Sequence, residues 1–437
     1  MPLGLTSTPT ARILISALEP SADRHAAALV AAARHARPGL EFVGPAGPRM
    51  RDAGCRPISD LTARSAMLLG AASLLGDAAR LLRRLDHLMA SGAIDLVLPV
   101  DSPAFHFHLA RRAKARGLPV VYFIAPQVWA WAPWRIHKLR RCVDRMAVIL
   151  PFEQAYFRDR GVDATYVGHP LIESLSQTRL DAPRRDAFRA LGDPIITCLP
   201  GSRRHVIREV LPGQIAVARQ IHAHHPNAHF LFAAASDEAA ALIHTYTNAR
   251  YETCPRTGAA PKTGATGGSS ASAEFCTDPR RTAPGPLPHD VVTASNAEAI
   301  AAADLVLVAS GTATLEVAYH ARPMIVMYNA SKWGYRLVAR WLIATAHLSL
   351  VNILAGRTLV PEFMPYYDSP QPIADAALQL LADSARRDAM QRDLAALVDP
   401  LRGHQVGREA AAIVLETLDA THRAARRTPR GSRHHIW

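Results

Sequence analysis

Four polar clusters stand immediately after apolar runs, where an open α/β sheet keeps its chemistry. Asp101 closes the run Ile94–Val100 and precedes Ser102-Pro103. A carboxylate there can serve as a general base facing a cleft, and an Asp before Ser-Pro can equally cap a helix. Leu199-Pro200-Gly201-Ser202-Arg203-Arg204 follows the run Ile195–Leu199. Glycine permits close backbone approach, the following helix offers free N–H groups, and Arg203 adds a bidentate donor. Together they make a phosphate cradle; the same string also serves as a plain strand-to-helix turn. Ser310-Gly311-Thr312-Ala313-Thr314-Leu315-Glu316 follows Asp304–Ala309 and repeats the theme. Glu316 there either accepts hydrogen bonds from ribose hydroxyls or complements the helix dipole. In Ala125-Pro126-Gln127-Val128-Trp129-Ala130-Trp131 the two tryptophans face one way if the chain is extended. They either line a cleft for an acyl chain or sugar, or pack in a core.

Motifs that are missing narrow the chemistry. The chain contains no GxGxxG, no GxxxxGK[ST], no GxSxG and no HExxH. This removes support for a dinucleotide site, a Walker loop, a nucleophile elbow and a zinc protease. No Asp-x-Asp occurs, so the common metal-dependent grip on a nucleotide-sugar pyrophosphate is absent too. The five cysteines (Cys55, Cys142, Cys198, Cys254, Cys276) have no Cys-x-x-Cys spacing. They suit neither a disulfide framework nor a zinc site, and fit a reduced, cytosolic chain. No metal and no cofactor is expected.

The elements that must position these clusters follow from patterning. Short β-branched runs alternate with Ala/Leu/Arg-rich amphipathic segments, which argues parallel sheets with helices on both faces. At 437 residues and 49% apolar content, two or three real cores are expected. We expect a short disordered N-terminus (1–11), a first α/β lobe (12–176), a link (177–193) rich in Asp, Arg and Pro, and a second lobe (194–400). Residues 254–288 read as a disordered insertion, 401–422 as a final amphipathic helix crossing back, and 423–437 as a basic tail. No run of 18 apolar residues exists, so no spanning helix is expected. The net charge of +13 comes from 50 Lys+Arg against 37 Asp+Glu, with only four lysines. Arginine's planar fork suits phosphate; a solvated surface explains the excess equally well. Nucleic acid has no support beyond this charge.

In series, FVGPAGPRM (Phe42–Met50), VDSPAF (Val100–Phe105), PQVWAW (Pro126–Trp131), CVDR (Cys142–Arg145), PFEQA (Pro151–Ala155), VGHP (Val167–Pro170), LPGSR (Leu199–Arg203), ASGTATLE (Ala309–Glu316) and VNILAGR (Val351–Arg357) resemble the lipid-A-disaccharide synthase family. The resemblance implies two Rossmann-like lobes in a GT-B arrangement with a cleft between them. It implies transfer of a diacylglucosaminyl group from UDP-2,3-diacylglucosamine to 2,3-diacylglucosamine 1-phosphate, with inversion and release of UDP. Asp101 then matches the family's general base and Arg203 its essential arginine at the donor phosphates. Ser202, Gly311, Thr312, Glu316, Asn352 and Gln127 fall on the UDP side, and Glu19, Ser21 and Asp23 on the acceptor side. The implied setting is peripheral, on the cytoplasmic face of the inner membrane and against anionic lipid. Met67, Leu68, Leu69, Leu74 and Leu75, bordered by Arg80, Arg83 and Arg84, fit an interfacial element or a buried amphipathic helix. Leu18 and Ala22 replace glycines of the family's N-terminal turn, where lost positive-φ glycines would bring strain. Ala71, Ala104, His106 and Ala125 are further departures. Several of these fall on the acceptor side, while the donor motifs are kept. A different lipid-linked acceptor, or UDP-sugar or anionic-lipid binding without turnover, are the competing readings.

Overall fold

The computed structural model describes residues 11–59, 71–130, 132–248, 286–329, 345, 347–364 and 367–427. Described residues up to Thr178 and from Asp399 onward form one compact unit; 179–329 and 347–398 form the other.

The first unit is built on seven parallel strands: β1 (Ala11–Ala17), β2 (Leu40–Pro45), β3 (Arg56–Ser59), β4 (Leu96–Val100), β5 (Val121–Phe123), β6 (Arg145–Val148) and β7 (Ala164–Tyr166). Their spatial order is β3-β2-β1-β4-β5-β6-β7. Both faces are covered at the centre of the sheet, so β1, β4 and β5 are buried almost throughout rather than alternating. Alternate residues feed two cores: Ile13, Ile15, Leu96 and Leu98 enter one, Leu14 and Val97 the other. The first core lies under the helices Pro20–Ala36 and Val406–Arg427. The two helices approach closely at Gly407, where a Cβ would stand 2.9 Å from the Ala28 carbonyl. Arg37 and Asp419 link them at 3.0 Å. The second core lies under Ala71–Ala90, Pro103–Ala115 and Ile136–Cys142.

The second unit repeats the plan with six parallel strands: β8 (Ile195–Leu199), β9 (His229–Ala234), β10 (His289–Thr293), β11 (Leu305–Ala309), β12 (Met324–Met327) and β13 (Glu362–Phe363). Their order is β10-β9-β8-β11-β12-β13. In each sheet the chain starts at the centre, builds to one edge, then crosses back. The direction therefore reverses between β1 and β4 in the first sheet and between β8 and β11 in the second. Ligands of open α/β sheets bind beyond the carboxyl ends of the strands that flank such a reversal.

Some expectations change. The stretch 177–193, expected as a link, carries the helix Ala182–Arg189, capped by the Asp181 side chain on Arg184 N–H at 3.1 Å. Arg189 fastens this helix to the Ala302 carbonyl and to Asp304, both at 2.8 Å. The final helix runs on through Arg427, so the start of the expected basic tail is helical. Residues 254–285 of the expected insertion, 428–437 of the tail, and Met67, Leu68 and Leu69 lie outside the described residues. Leu74 and Leu75 fall in the first turns of Ala71–Ala90, whose later residues Leu81, Leu85 and Met89 are buried and whose Arg80, Arg83 and Arg84 are exposed.

Candidate active site

Asp101 leaves the carboxyl end of β4, and the register of β1 on β4 places Ala17 opposite Val100. The chain therefore exits both strands at the reversal point, one towards Glu19, the other towards Asp101. Glu19 and Ser21 are exposed there. Asp101 and Ser102 both adopt positive φ, +55° and +46°, and so does Ile124, +61°, at the end of β5. A β-branched residue in this region is a true outlier, and such strain persists only where the surroundings over-determine it. Here they do. Asp101 N–H donates to the Phe123 carbonyl and Ile124 N–H to the Ala147 carbonyl, each at 3.0 Å. The Asp101 carbonyl also accepts the Tyr122 hydroxyl at 2.7 Å.

Sequence reasoning marks His106 as a departure but does not reveal its role. It is fully buried. Its Nδ1 donates to the Asp101 carbonyl, which can only accept, so Nε2 takes the Ser16 hydroxyl proton at 2.8 Å. Burial lowers its pKa to about 4, against the carbonyl bond that raises it, and the ring is neutral at physiological pH. His106 thus ties the strand before the reversal, through Ser16, to the loop that carries Asp101. The departure at His106 noted above therefore places a support under that loop.

The Asp101 carboxyl is half-buried, and burial raises its pKa although the Ser102 N–H opposes this. It faces a cavity of about 350 Å³, also lined by Phe107, Ile124, Gln127, Arg135 and Glu153. Gln127 is exposed on this wall, so it belongs to the pocket of Asp101. Trp129 is buried in the core: its ring packs edge-on against Phe152 at 4.9 Å, and its Nε1–H donates to Glu153 at 2.9 Å. Trp131 lies outside the described residues. Glu153 also receives the N–H groups of Ile149 at 3.2 Å and Leu150 at 3.0 Å. Burial pushes its pKa up to about 7, against these three donors. Glu153→Gln must turn an NH₂ towards at least one of them. We expect it to lower stability by about 1–3 kcal/mol at pH 8, read by denaturant unfolding; an unchanged midpoint would show that the donors relocate.

Two expected ligand residues make hydrogen bonds within the fold. Asp23 is buried, and its carboxylate accepts the N–H groups of Arg49 at 3.0 Å and Met50 at 3.1 Å. These bonds satisfy two N–H groups in the first turn of the short helix Pro48–Asp52. Ala22 is buried in the first turn of Pro20–Ala36, and neither it nor Leu18 has positive φ. The expected strain from lost glycines is therefore absent. Asn352 is fully buried. Its Nδ2 donates to the Val360 carbonyl and Glu362 at 2.9 Å, and its Oδ1 accepts Leu359 N–H at 2.8 Å and Val360 N–H at 3.0 Å. That exhausts a carboxamide, so a direct bond to UDP does not fit. Asn352→Ala is expected to cost about 1–3 kcal/mol of stability by orphaning these groups, measurable as a shifted unfolding midpoint. A melting curve superimposable on wild type would contradict the assignment.

In the second unit the reversal point carries both glycine-containing motifs. Gly201 has φ +106°, and a Cβ there would meet Val206 Cγ1 at 2.7 Å, so the turn requires glycine. The helix Arg204–His224 starts with no side-chain cap, which leaves its first N–H groups open. Arg203 is exposed and makes no ion pair or side-chain hydrogen bond among the described residues. Ser202 lines a cavity of about 260 Å³ with Arg204, Ser236, Glu238, Leu242 and Thr245. Across the reversal, Gly311 and Thr312 are exposed beyond β11. Glu316 is half-buried, has no partner among the described residues, and burial raises its pKa. It is an uncommitted acceptor beside an uncommitted arginine loop.

Comparison with known proteins gives the family and the fold. The family model described as Lipid-A-disaccharide synthetase matches residues 13–254 and 286–416. A lipid-A-disaccharide synthase of Anaeromyxobacter dehalogenans is 36% identical over 388 residues, covering 87% of this chain and 90% of that protein. One of Syntrophus aciditrophicus is 35% identical over 411 residues, covering 93% and 97%. Among solved structures, a putative UDP-N-acetylglucosamine 2-epimerase from Listeria monocytogenes aligns with a TM-score of 0.54 at 14% identity, over 96% of this chain and 97% of that one. The glycotransferase of kitacinnamycin gives 0.52 at 15% identity, over 93% and 99%. At such identities these two speak for the fold alone, two Rossmann-like lobes of the GT-B class. The sequence matches go further: the chain belongs to the lipid-A-disaccharide synthetase family.

Proposed function

We propose that the protein is a hexosyltransferase of lipid A biosynthesis. It moves 2,3-diacylglucosamine from its UDP derivative to 2,3-diacylglucosamine 1-phosphate and releases UDP. The observation that carries this reading is Asp101, a carboxylate held in a strained, over-determined turn at a reversal point, with its pKa raised by burial. A raised pKa makes the carboxylate a better base. It takes the proton of the acceptor 6-hydroxyl. The hydroxyl oxygen bonds to the donor's anomeric carbon as the bond to UDP breaks, so the configuration inverts to a β(1→6) linkage. UDP leaves with the electron pair. The sequence offers no Asp-x-Asp pair, so the reading gives this charge to Arg203 and the open N–H groups of Arg204–His224. Glu316 takes the ribose hydroxyls.

Both substrates carry acyl chains that stay in a bilayer, which supports a peripheral position on the cytoplasmic face of the inner membrane. No helix of the described residues is long and apolar enough to cross a membrane. The test is turnover in neutral-detergent micelles holding both lipid substrates, with product identified by mass. Disaccharide 1-phosphate is the expected product. Product only with another lipid-linked acceptor, or UDP binding without turnover, would overturn the reading.

A further inference from the structure

The helix Pro103–Ala115 turns Ala104, Phe107, His108 and Arg111 to one side, at the spacing of a single helical face. Arg135, Lys138 and Arg141 stand three residues apart on and before Ile136–Cys142. The two faces enclose an open groove of about 490 Å³. Phe107 and Arg135 also line the pocket of Asp101, so groove and pocket share a wall.

The groove is basic and not neutralised. Arg111, Arg135, Lys138 and Arg141 are exposed and have no carboxylate partner among the described residues. Two nearby acids serve other cations. Asp144 takes Lys114 at 2.7 Å and the Val120 N–H at 2.8 Å. Asp86 takes Arg116 at 2.8 Å. The floor is apolar, formed by Ala104, Phe107 and the buried Cys142. Burial raises the Cys142 thiol pKa, while Arg111, Lys114 and Arg141 pull it down. Like charges lined along two facing walls repel one another until a counter-charge enters.

We infer that this groove binds the phosphate of the acceptor, a phosphomonoester on a sugar-bearing lipid, while the sugar hydroxyl reaches Asp101 in the adjoining pocket. The inference rests on the proposed reaction. A phosphomonoester carries close to two negative charges at neutral pH. Arginine forks bind it bidentately, and Lys138 adds a point charge. Phe107, on the shared wall, offers an apolar surface to the sugar between the two ends. The acceptor is thereby read at both ends, and its hydroxyl is oriented by its phosphate. Bilayer headgroups carry the same phosphate chemistry, so the experiment must separate the two sources.

The test compares wild type with the triple variant Arg111→Gln, Lys138→Gln, Arg141→Gln, which leaves Arg135 and the Asp101 pocket intact. In neutral-detergent micelles the variant is expected to raise the acceptor KM by about tenfold or more, with kcat at saturation and the donor KM within about twofold. The unphosphorylated lipid, 2,3-diacylglucosamine, should be an equally poor acceptor for both proteins. Glucosamine 1-phosphate, followed by phosphorus NMR, should bind wild type and lose affinity in the variant. Sedimentation with phosphatidylcholine vesicles, with or without phosphatidylglycerol, should be the same for both. If the variant instead sediments less with phosphatidylglycerol vesicles and both substrates' KM values rise together, the groove is a headgroup contact and the inference fails. It fails also if acceptor KM and glucosamine 1-phosphate affinity are unchanged. A wild type that makes no disaccharide sinks the proposed reaction, and the glucosamine 1-phosphate titration then decides the groove by itself.

Discussion

Asp101→Asn is expected to lower kcat by about 10²–10⁴-fold while leaving the fold intact. Asparagine is nearly isosteric and tolerates positive φ, so the bonds through the Asp101 N–H and carbonyl remain. Alanine would add backbone strain at φ +55° and confuse the two effects. The pH dependence carries the same logic. The carboxyl works as a base only when ionised, and burial raises its pKa. Activity must therefore fall as pH drops through a value above the ordinary carboxylate range. That acid limb should vanish from the residual kcat/KM profile of the variant. A kcat within tenfold of wild type, or an acid limb that persists unchanged in the variant, would move the base elsewhere.

Arg203→Gln is expected to cost about 10²–10³-fold in kcat, the scale of removing one preorganised donor from a developing anion. Arg203→Lys should recover only part of this, because a point charge replaces a bidentate fork. The side chain is exposed and unpaired among the described residues; its charge is felt at the Tyr328 phenol, which also donates to Glu209 at 3.0 Å. Removing it breaks no bond of the resting protein, so the melting temperature should not move. Thermal melts alongside steady-state kinetics decide the matter. A large fall in melting temperature with the lost activity would make Arg203 a structural residue, and full activity would remove it from the site.

Particular residues show what the amino-acid sequence reveals here and what it hides. Buried parallel strands read as continuous apolar runs, so the ends of β4, β8 and β11 are visible, and with them Asp101, Ser202 and Gly311. What a polar residue does at such a place is much less visible. Asp23 and Asn352 have the types and motif positions of ligand contacts. Only the placement of the Arg49, Met50, Leu359 and Val360 amides shows that both bond within the fold. His106 is hidden for a related reason. Its partner Ser16 lies 90 residues away, so the sequence shows a lone histidine where the fold makes a brace. Likewise Ala182–Arg189 has the composition of a link, and tertiary bonds through Arg189 make it a helix.

The closing helix Val406–Arg427 has a consequence for the order in which the protein comes into being. It covers the core under Pro20–Ala36, to which it contributes Val406, Ala410, Ala411, Ile413, Val414 and Leu418. A chain leaves the ribosome at roughly 5–20 residues per second, N-terminal part first. The sheet that carries Asp101 is therefore synthesised early, yet waits for the whole second unit to emerge before its apolar flank is closed. During that interval Ala26, Leu29, Val30 and Ala33 lack their final cover, a surface suited to capture by a chaperone. The unit that carries Asp101 is finished only when the helix Val406–Arg427 arrives.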